Sequence, residues 1–257
     1  MEIEWSRLKA HELRNLAQRD ALVLVPIGAT EQHGPHLPVM VDARLATEVS
    51  LRAARIVQER EPIAVLPTIW FGMSEHHMRL GGTITLDFPT MLAVMRCVVR
   101  SLTQHGFKRI FILNGHGGNT APLEVIVTEL TIEFKIPLAY ATYWGIAEGA
   151  IEKILERQKR LMHACEAETS MMLALHGDLI NRDELSQAHG PMIAGASAIA
   201  GANPQAYRWR HTSSRSPNGV IGEAATATPE KGERLLASIA EELATALMNK
   251  AFWSTPI

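Results

Sequence analysis

Four short apolar runs, at 21–27, 63–66, 109–113 and 137–142, alternate with longer stretches of helical spacing at 42–60, 89–105 and 119–134. The same spacing predicts further helices over 162–176 and 229–249. Short strands joined through helices build βαβ units, which pack as a mostly parallel sheet with helices on both faces. The predicted fold class is therefore α/β. With 257 residues, 47% of them hydrophobic, one domain buries its own core and no second core is required. In such sheets ligands bind beyond the carboxyl ends of the strands, so the residues after each strand carry the functional expectation.

Charge and composition exclude several classes. The formal net charge is -2, and neither a basic stripe for nucleic acid nor a polybasic segment for a membrane surface is present. No run of about 18 apolar residues predicts a membrane span. The first five residues carry two acids and no apolar core, so no secretory signal is expected. Two cysteines, Cys97 and Cys165, are too few for a disulfide framework and point to a reducing compartment.

The first strand stops at Gly28 and is followed by Glu31, His33 and Asp42. Glu31 and His33 are two apart, and on an extended segment both face one side. Asp42 falls where the next helix should begin, so it reads either as a helix N-cap or as a third donor. Oxygen and nitrogen donors held this closely by Gly and Pro suit one or two divalent metal ions. After the third strand comes Asn114-Gly-His-Gly-Gly-Asn119. His116 there reads as a metal ligand, although the turn also suits an anion cradle at a helix N-terminus or a plain glycine turn. It lacks the lysine of a phosphate-binding loop.

In the segment 163–175, Glu168 shares an apolar helix face with Met171, Met172 and Leu175. A buried carboxylate needs a cation, a proton or an arginine, which makes Glu168 a further candidate ligand. Glu166 is expected on a wetter side with Thr169 and Ser170. His163 precedes this helix, where it can exchange a proton beside a metal-bound water. After the second strand, Ser74, Glu75, His76 and His77 read first as substrate pocket and second as ligands. The stretch 186–219, with Tyr207 and Trp209, reads as an ordered flap over the active site.

Ile27-Gly-Ala-Thr-Glu-Gln-His-Gly-Pro-His-Leu-Pro, Asp42, Gly81-Gly-Thr-Ile-Thr-Leu, Asn114-Gly-His-Gly-Gly-Asn and Glu168-Thr-Ser occur in this order. With the late Asn218-Gly-Val-Ile-Gly and Ala227-Thr-Pro-Glu-Lys-Gly, they resemble the creatininase (creatinine amidohydrolase) family over nearly the whole chain. The resemblance implies one three-layer α/β/α sandwich domain over 1–257 with two divalent metal ions per chain (Zn, Mn or Fe). It also implies a cytoplasmic homo-oligomer, often a hexamer, that hydrolyses a C–N amide bond of a small molecule. By position, Glu31 and His116 would hold one metal and His33 the other, with Asp42 bridging. His163 would stand beside the substrate and the catalytic water, and Ser74 would touch substrate.

Two positions depart from the pattern. Creatininase proper has an aromatic residue and a metal-binding acid after the histidine that matches His116, where this chain has Gly117 and Gly118. Glu168 is then the candidate to complete the second metal, or to carry a proton. Gly117 and Gly118, with Ser74, Glu75 and His76, are left to line the substrate pocket. Trp144 is the only tryptophan near His163, so creatinine itself is disfavoured. Relatives with Gly-Gly at this place include formamide hydrolases acting on a phosphorylated pyrimidine intermediate. Two further readings are a metal-free hydrolase using Cys165 with His163 and a non-catalytic small-molecule-binding module.

Overall fold

The computed structural model describes residues 2–192 and 208–254. Its elements, in chain order, are α1 (Ala10–Gln18), β1 (Leu22–Ile27), α2 (Val41–Val57), β2 (Ile63–Val65), α3 (Phe88–Gln104), β3 (Arg109–Asn114) and α4 (Thr120–Phe134). There follow β4 (Leu138–Thr142), the short α5 (Tyr143–Ile146) and α6 (Glu148–Ile154), then α7 (Glu166–His176), α8 (Pro229–Leu247) and α9 (Lys250–Ser254). The sheet runs β2-β1-β3-β4, and every pairing is parallel.

Apolar alternation along the central strands splits the core into two layers. Leu22 and Leu24 of β1 and Phe111 and Leu113 of β3 pack with α2, α7 and α8. Val23, Val25 and Ile27, with Ile110 and Ile112, face the other way onto α1, α3 and α4. Burying each such side chain contributes about 1.5–3 kcal/mol, so period two on both strands specifies helices on both faces. This is the α/β/α sandwich that the chain's resemblance implied. Local signals fix the helix ends. Asp87 accepts a hydrogen bond from the Thr90 N–H and Thr228 from the Lys231 N–H, each just before a proline in the first turn. No described helix is long and apolar enough to cross a membrane.

Two departures from the sequence expectation bear on function. The helix expected from 162 starts only at Glu166, because His163 exchanges backbone hydrogen bonds with Ile221 and Ala164 adopts a left-handed φ of 53°. The flap expected over 186–219 lies partly outside the described residues, as does Tyr207. Its described ends are tied together: the Asn218 side chain donates to the carbonyls of Gln187 and His189. Helices α1, α5, α6 and α9 are not among the expected ones; the last three are only 4, 7 and 5 residues long.

The strand ends and helix starts meet at one point. A Cβ on Gly28 would lie 2.4 Å from the Ala43 nitrogen, and one on Gly115 would lie 2.5 Å from the Asp42 carbonyl. Bare backbone at these two places lets the first turn of α2 sit directly on the ends of β1 and β3.

Candidate metal centre

The ends of the two central strands, β1 and β3, and two helix N-termini deliver titratable side chains to this point. Glu31 and His33 follow β1, Asp42 is in the first turn of α2, His116 follows β3, and Glu168 is in the first turn of α7. All five are almost fully buried. Asp42 is therefore no N-cap: α2 begins at Val41, and the Asp42 carboxylate points into the cluster. The partial positive charge at the starts of α2 and α7 favours the ionised acids there.

Asp42 joins two groups of donors. Its Oδ2 lies 2.9 Å from His116 Nδ1, while its Oδ1 lies 3.1 Å from His33 Nε2. His116 Nδ1 is also 3.2 Å from Glu31 Oε2, and His33 Nε2 is 3.9 Å from Glu168 Oε2. The sets Glu31–Asp42–His116 and His33–Asp42–Glu168 each have ligand atoms within 4.8 Å of one another. Despite these short distances, the buried Glu31 Oε2, His33 Nε2 and Asp42 Oδ2 make no aligned hydrogen bond. Three buried carboxylates converging on two buried imidazoles are costly unless a cation or protons join them, so the donor set fits divalent metal.

The outer nitrogens of both imidazoles are anchored so that the inner ones point into the cluster. His33 Nδ1 lies 3.1 Å from the Glu31 carbonyl. His116 Nε2 lies 3.2 Å from the Met73 carbonyl and 3.2 Å from Ser74 Oγ. An imidazole that donates on one side presents a lone pair on the other, as a metal ligand must. Ser74, expected to touch substrate, is fully buried beneath His116 and steadies that ring. Asn114 and Asn119 were not singled out by the sequence reading. Asn114 brackets the His116 backbone with Nδ2–H to its carbonyl and Oδ1 to its N–H, and Asn119 ties this turn to Gly28 and Met73.

The protons are distributed as crowding dictates. Burial pushes the Glu31 carboxyl up, and raises Glu168 to about 8. Burial also opposes charge on His33, but the adjacent Asp42 outweighs it and holds that imidazolium up to about 9. His116 is raised well above the usual histidine range by Glu31 and Asp42, again against burial. Asp42 lies below the usual carboxylate range because His33 and His116 outweigh its burial. Protons thus fill the role of the cation, and metal binding must displace them. Below pH 8 the raised groups of His33 and Glu168 hold protons, so metal affinity should rise with pH up to about 9. A Zn titration is expected to show at least about tenfold tighter binding per pH unit between 6.5 and 8. Affinity that is flat across this range would contradict the proton count.

His163, His76 and His77 form the rim. His163 is half-buried, its Nδ1 is 3.6 Å from Glu31 Oε1, and its ring packs on His33 and His77 with centroids 4.2 and 4.4 Å away. Burial, with His116 nearby, pushes His76 down to about 3, so it is neutral. The sequence places His77 with Ser74, Glu75 and His76 as substrate pocket first and ligand second. His77 is buried, with Nε2 3.4 Å from Glu31 Oε1. Glu75 is exposed.

The two glycines after His116 differ sharply. A Cβ on Gly117 would meet nothing within 4 Å, whereas one on Gly118 would lie 2.3 Å from the Met73 carbonyl and 2.4 Å from His116 Nε2. Gly118→Ala is expected to cost about 1–3 kcal/mol by overpacking and to weaken metal binding by displacing His116. Gly117→Ala should leave both unchanged. Equal denaturation midpoints for the two variants would contradict this.

Two sequence expectations are corrected here. Glu166 is not the wetter acid. It is fully buried, accepts from Lys231 Nζ at 2.7 Å, and takes the N–H groups of Glu156 and Arg157. Cys165 Sγ is buried and accepts from the Met162 N–H, and burial, reinforced by Glu168, pushes its thiol up to about 12. A thiol so placed is a poor nucleophile.

The chain matches the family model of creatinine amidohydrolases over residues 6–247. It is 31% identical, over 86% of its own length and 82% of the relative's, to a mycofactocin precursor peptide peptidase of Mycobacterium ulcerans (strain Agy99). It is 29% identical to a creatinine amidohydrolase of Pseudomonas putida, covering 96% of this chain and 94% of that protein. A solved putative creatinine amidohydrolase from Bacteroides fragilis superposes with a TM-score of 0.83 at 28% identity, covering 100% of this chain and 98% of that one. A buried cluster of metal donors on this fold, together with these matches, shows that the chain belongs to the creatininase (creatinine amidohydrolase) family of hydrolases acting on carbon–nitrogen bonds.

Proposed function

We propose that this protein is a metal-dependent amidohydrolase that cleaves a C–N amide bond of a small molecule at a centre for two divalent ions. One observation carries the reading: the two oxygens of Asp42 face two separate donor groups. Glu31, Asp42 and His116 would hold one ion, and His33, Asp42 and Glu168 the other, with Zn, Mn or Fe as candidates. Bound here, such ions supply water acidified toward neutrality and polarise a carbonyl.

The chain's own groups supply the rest. Glu168 takes the place of the acid that Gly118 cannot carry. His163 reaches the rim and is the group to pass a proton to the leaving nitrogen. Gly117, Gly118 and His76 bound the open side, where substrate enters. With no side chain at Gly117 there is no aromatic wall for a flat ring, so creatinine is a poor candidate. A peptide bond is a second candidate, since one relative is a peptide peptidase.

A formamide carrying a phosphate is favoured by one specific observation. From Leu185 to Gly222 the chain has no Asp or Glu but three arginines. In that stretch, Arg215 and His211 lie close enough to disfavour charge on His76. Hydrolysis of creatinine, a short peptide, and a formamide with and without phosphate should show preference for the phosphorylated compound. Equal rates on the last two would remove that refinement and leave the metal reading intact. Loss of hydrolysis on chelation and recovery with Mn or Zn supports the centre. Activity resistant to chelator but lost on thiol alkylation would favour Cys165 instead.

A homo-oligomer accompanies the family reading. Val39, Trp70 and Ile84 are exposed apolar residues whose backbones bond to Thr30 or Glu31, and an assembly of copies would cover them. Light scattering of the purified protein gives its mass.

A further inference from the structure

Gln32 sits between Glu31 and His33 in sequence, and its side chain reaches two other histidines. Its Oε1 accepts the Gly34 N–H at 2.9 Å. A backbone N–H can only donate, so this bond fixes which end of the carboxamide is oxygen. Nε2 therefore faces His77 Nδ1 at 2.6 Å, with His163 Nε2 at 3.0 Å and the Gly219 carbonyl at 3.4 Å. An amide nitrogen cannot accept a hydrogen bond. At 2.6 Å, His77 Nδ1 must then be the bare, accepting nitrogen, and the ring proton sits on Nε2. That nitrogen faces Glu31 Oε1 at 3.4 Å, in a site where His77 is almost fully shielded from water.

We propose that Gln32 is a positioning residue that locks His77 as the Nε2–H tautomer, making His77 a hydrogen-bond donor toward Glu31 and not a metal ligand. The lock decides between donor groups. Glu31, His76 and His77 also have ligand atoms close together, but a protonated Nε2 has no lone pair to offer a cation. Donation to Glu31 Oε1 instead holds that carboxylate with Oε2 toward His116 Nδ1, 3.2 Å away. Partners that orient a ligand in this way typically matter 10–100-fold for metal affinity. The consequence for Glu31 rests on the metal-centre reading; the tautomer itself does not.

The test uses the full chain labelled with 15N-histidine, with the His77 signals identified by their loss in His77→Leu. The lock predicts a bare, pyridine-type Nδ1 and a protonated Nε2 in the parent protein. Gln32→Glu, which offers His77 an acceptor, should put a proton on Nδ1. Zinc titration of His77→Leu should show the parent stoichiometry with about 10–100-fold weaker affinity, whereas His33→Ala loses an ion. A protonated Nδ1 in the parent protein overturns the lock, and loss of a zinc ion in His77→Leu overturns the donor role. If the parent protein binds no zinc, the metal-centre reading fails, while the nitrogen shifts still decide the tautomer. Circular dichroism checks that each variant is folded.

Discussion

Asp42→Ala is expected to abolish hydrolysis and to remove both metal ions at once, because the two oxygens of Asp42 serve both donor groups. Loss of a metal-supplied stabilisation of about 4 kcal/mol corresponds to roughly a thousandfold in rate. The variant still folds in this account, since Asp42 anchors no helix end and the first turn of α2 packs through bare backbone at Gly28 and Gly115. Thermal unfolding separates the two effects. At a hundredfold excess over its dissociation constant, metal should stabilise the parent protein by about 2.7 kcal/mol and the variant by nothing. An Asp42→Ala protein that kept one tightly held ion would show that the two donor groups are independent.

Lys231→Met carries the largest expected cost in stability. Glu166 is fully buried, and the Lys231 ammonium is its only cationic partner among the described residues. Removing one member of a buried pair leaves an uncompensated charge and costs about 3–5 kcal/mol. The two backbone N–H groups that Glu166 also accepts moderate the loss without matching the ammonium. The second contact of Lys231, to the exposed Glu156, adds little. Urea denaturation measures the difference, and a loss under about 1 kcal/mol would contradict the pairing. Lys231→Met combined with Glu166→Leu should recover most of the loss, because an apolar pair of similar volume needs no cation. The same clamp holds the turn at 156–157 against the start of α7.

These two residues mark what the sequence could and could not reveal. The strands were legible because β1 and β3 are buried on both faces and read as unbroken apolar runs. Glu31 and His33 were legible because two residues after a strand share a side. Asp42 was ambiguous, since an acid at a helix start looks the same as cap or as ligand; the close approach of α2 at Gly28 and Gly115, which brings its carboxylate to the strand ends, leaves no local signature. Glu166 was misplaced because helix periodicity sees only its own helix, and Lys231 comes from α8, 65 residues further on. The contact between Gln32 and His77 is hidden for a related reason: it spans 45 residues and depends on which way a carboxamide is turned. The late start of α7 depends on backbone pairing between His163 and Ile221, which no local pattern announces.

The most direct test of the account is the metal content of the purified protein, measured by elemental analysis against protein concentration, with hydrolysis assayed on the same sample before and after metal removal. Two divalent ions per chain, with activity lost on removal and regained on reloading with Zn or Mn, is the predicted result. A protein that keeps full activity with no bound metal would contradict the shared role of Asp42 and, with it, the proposed centre.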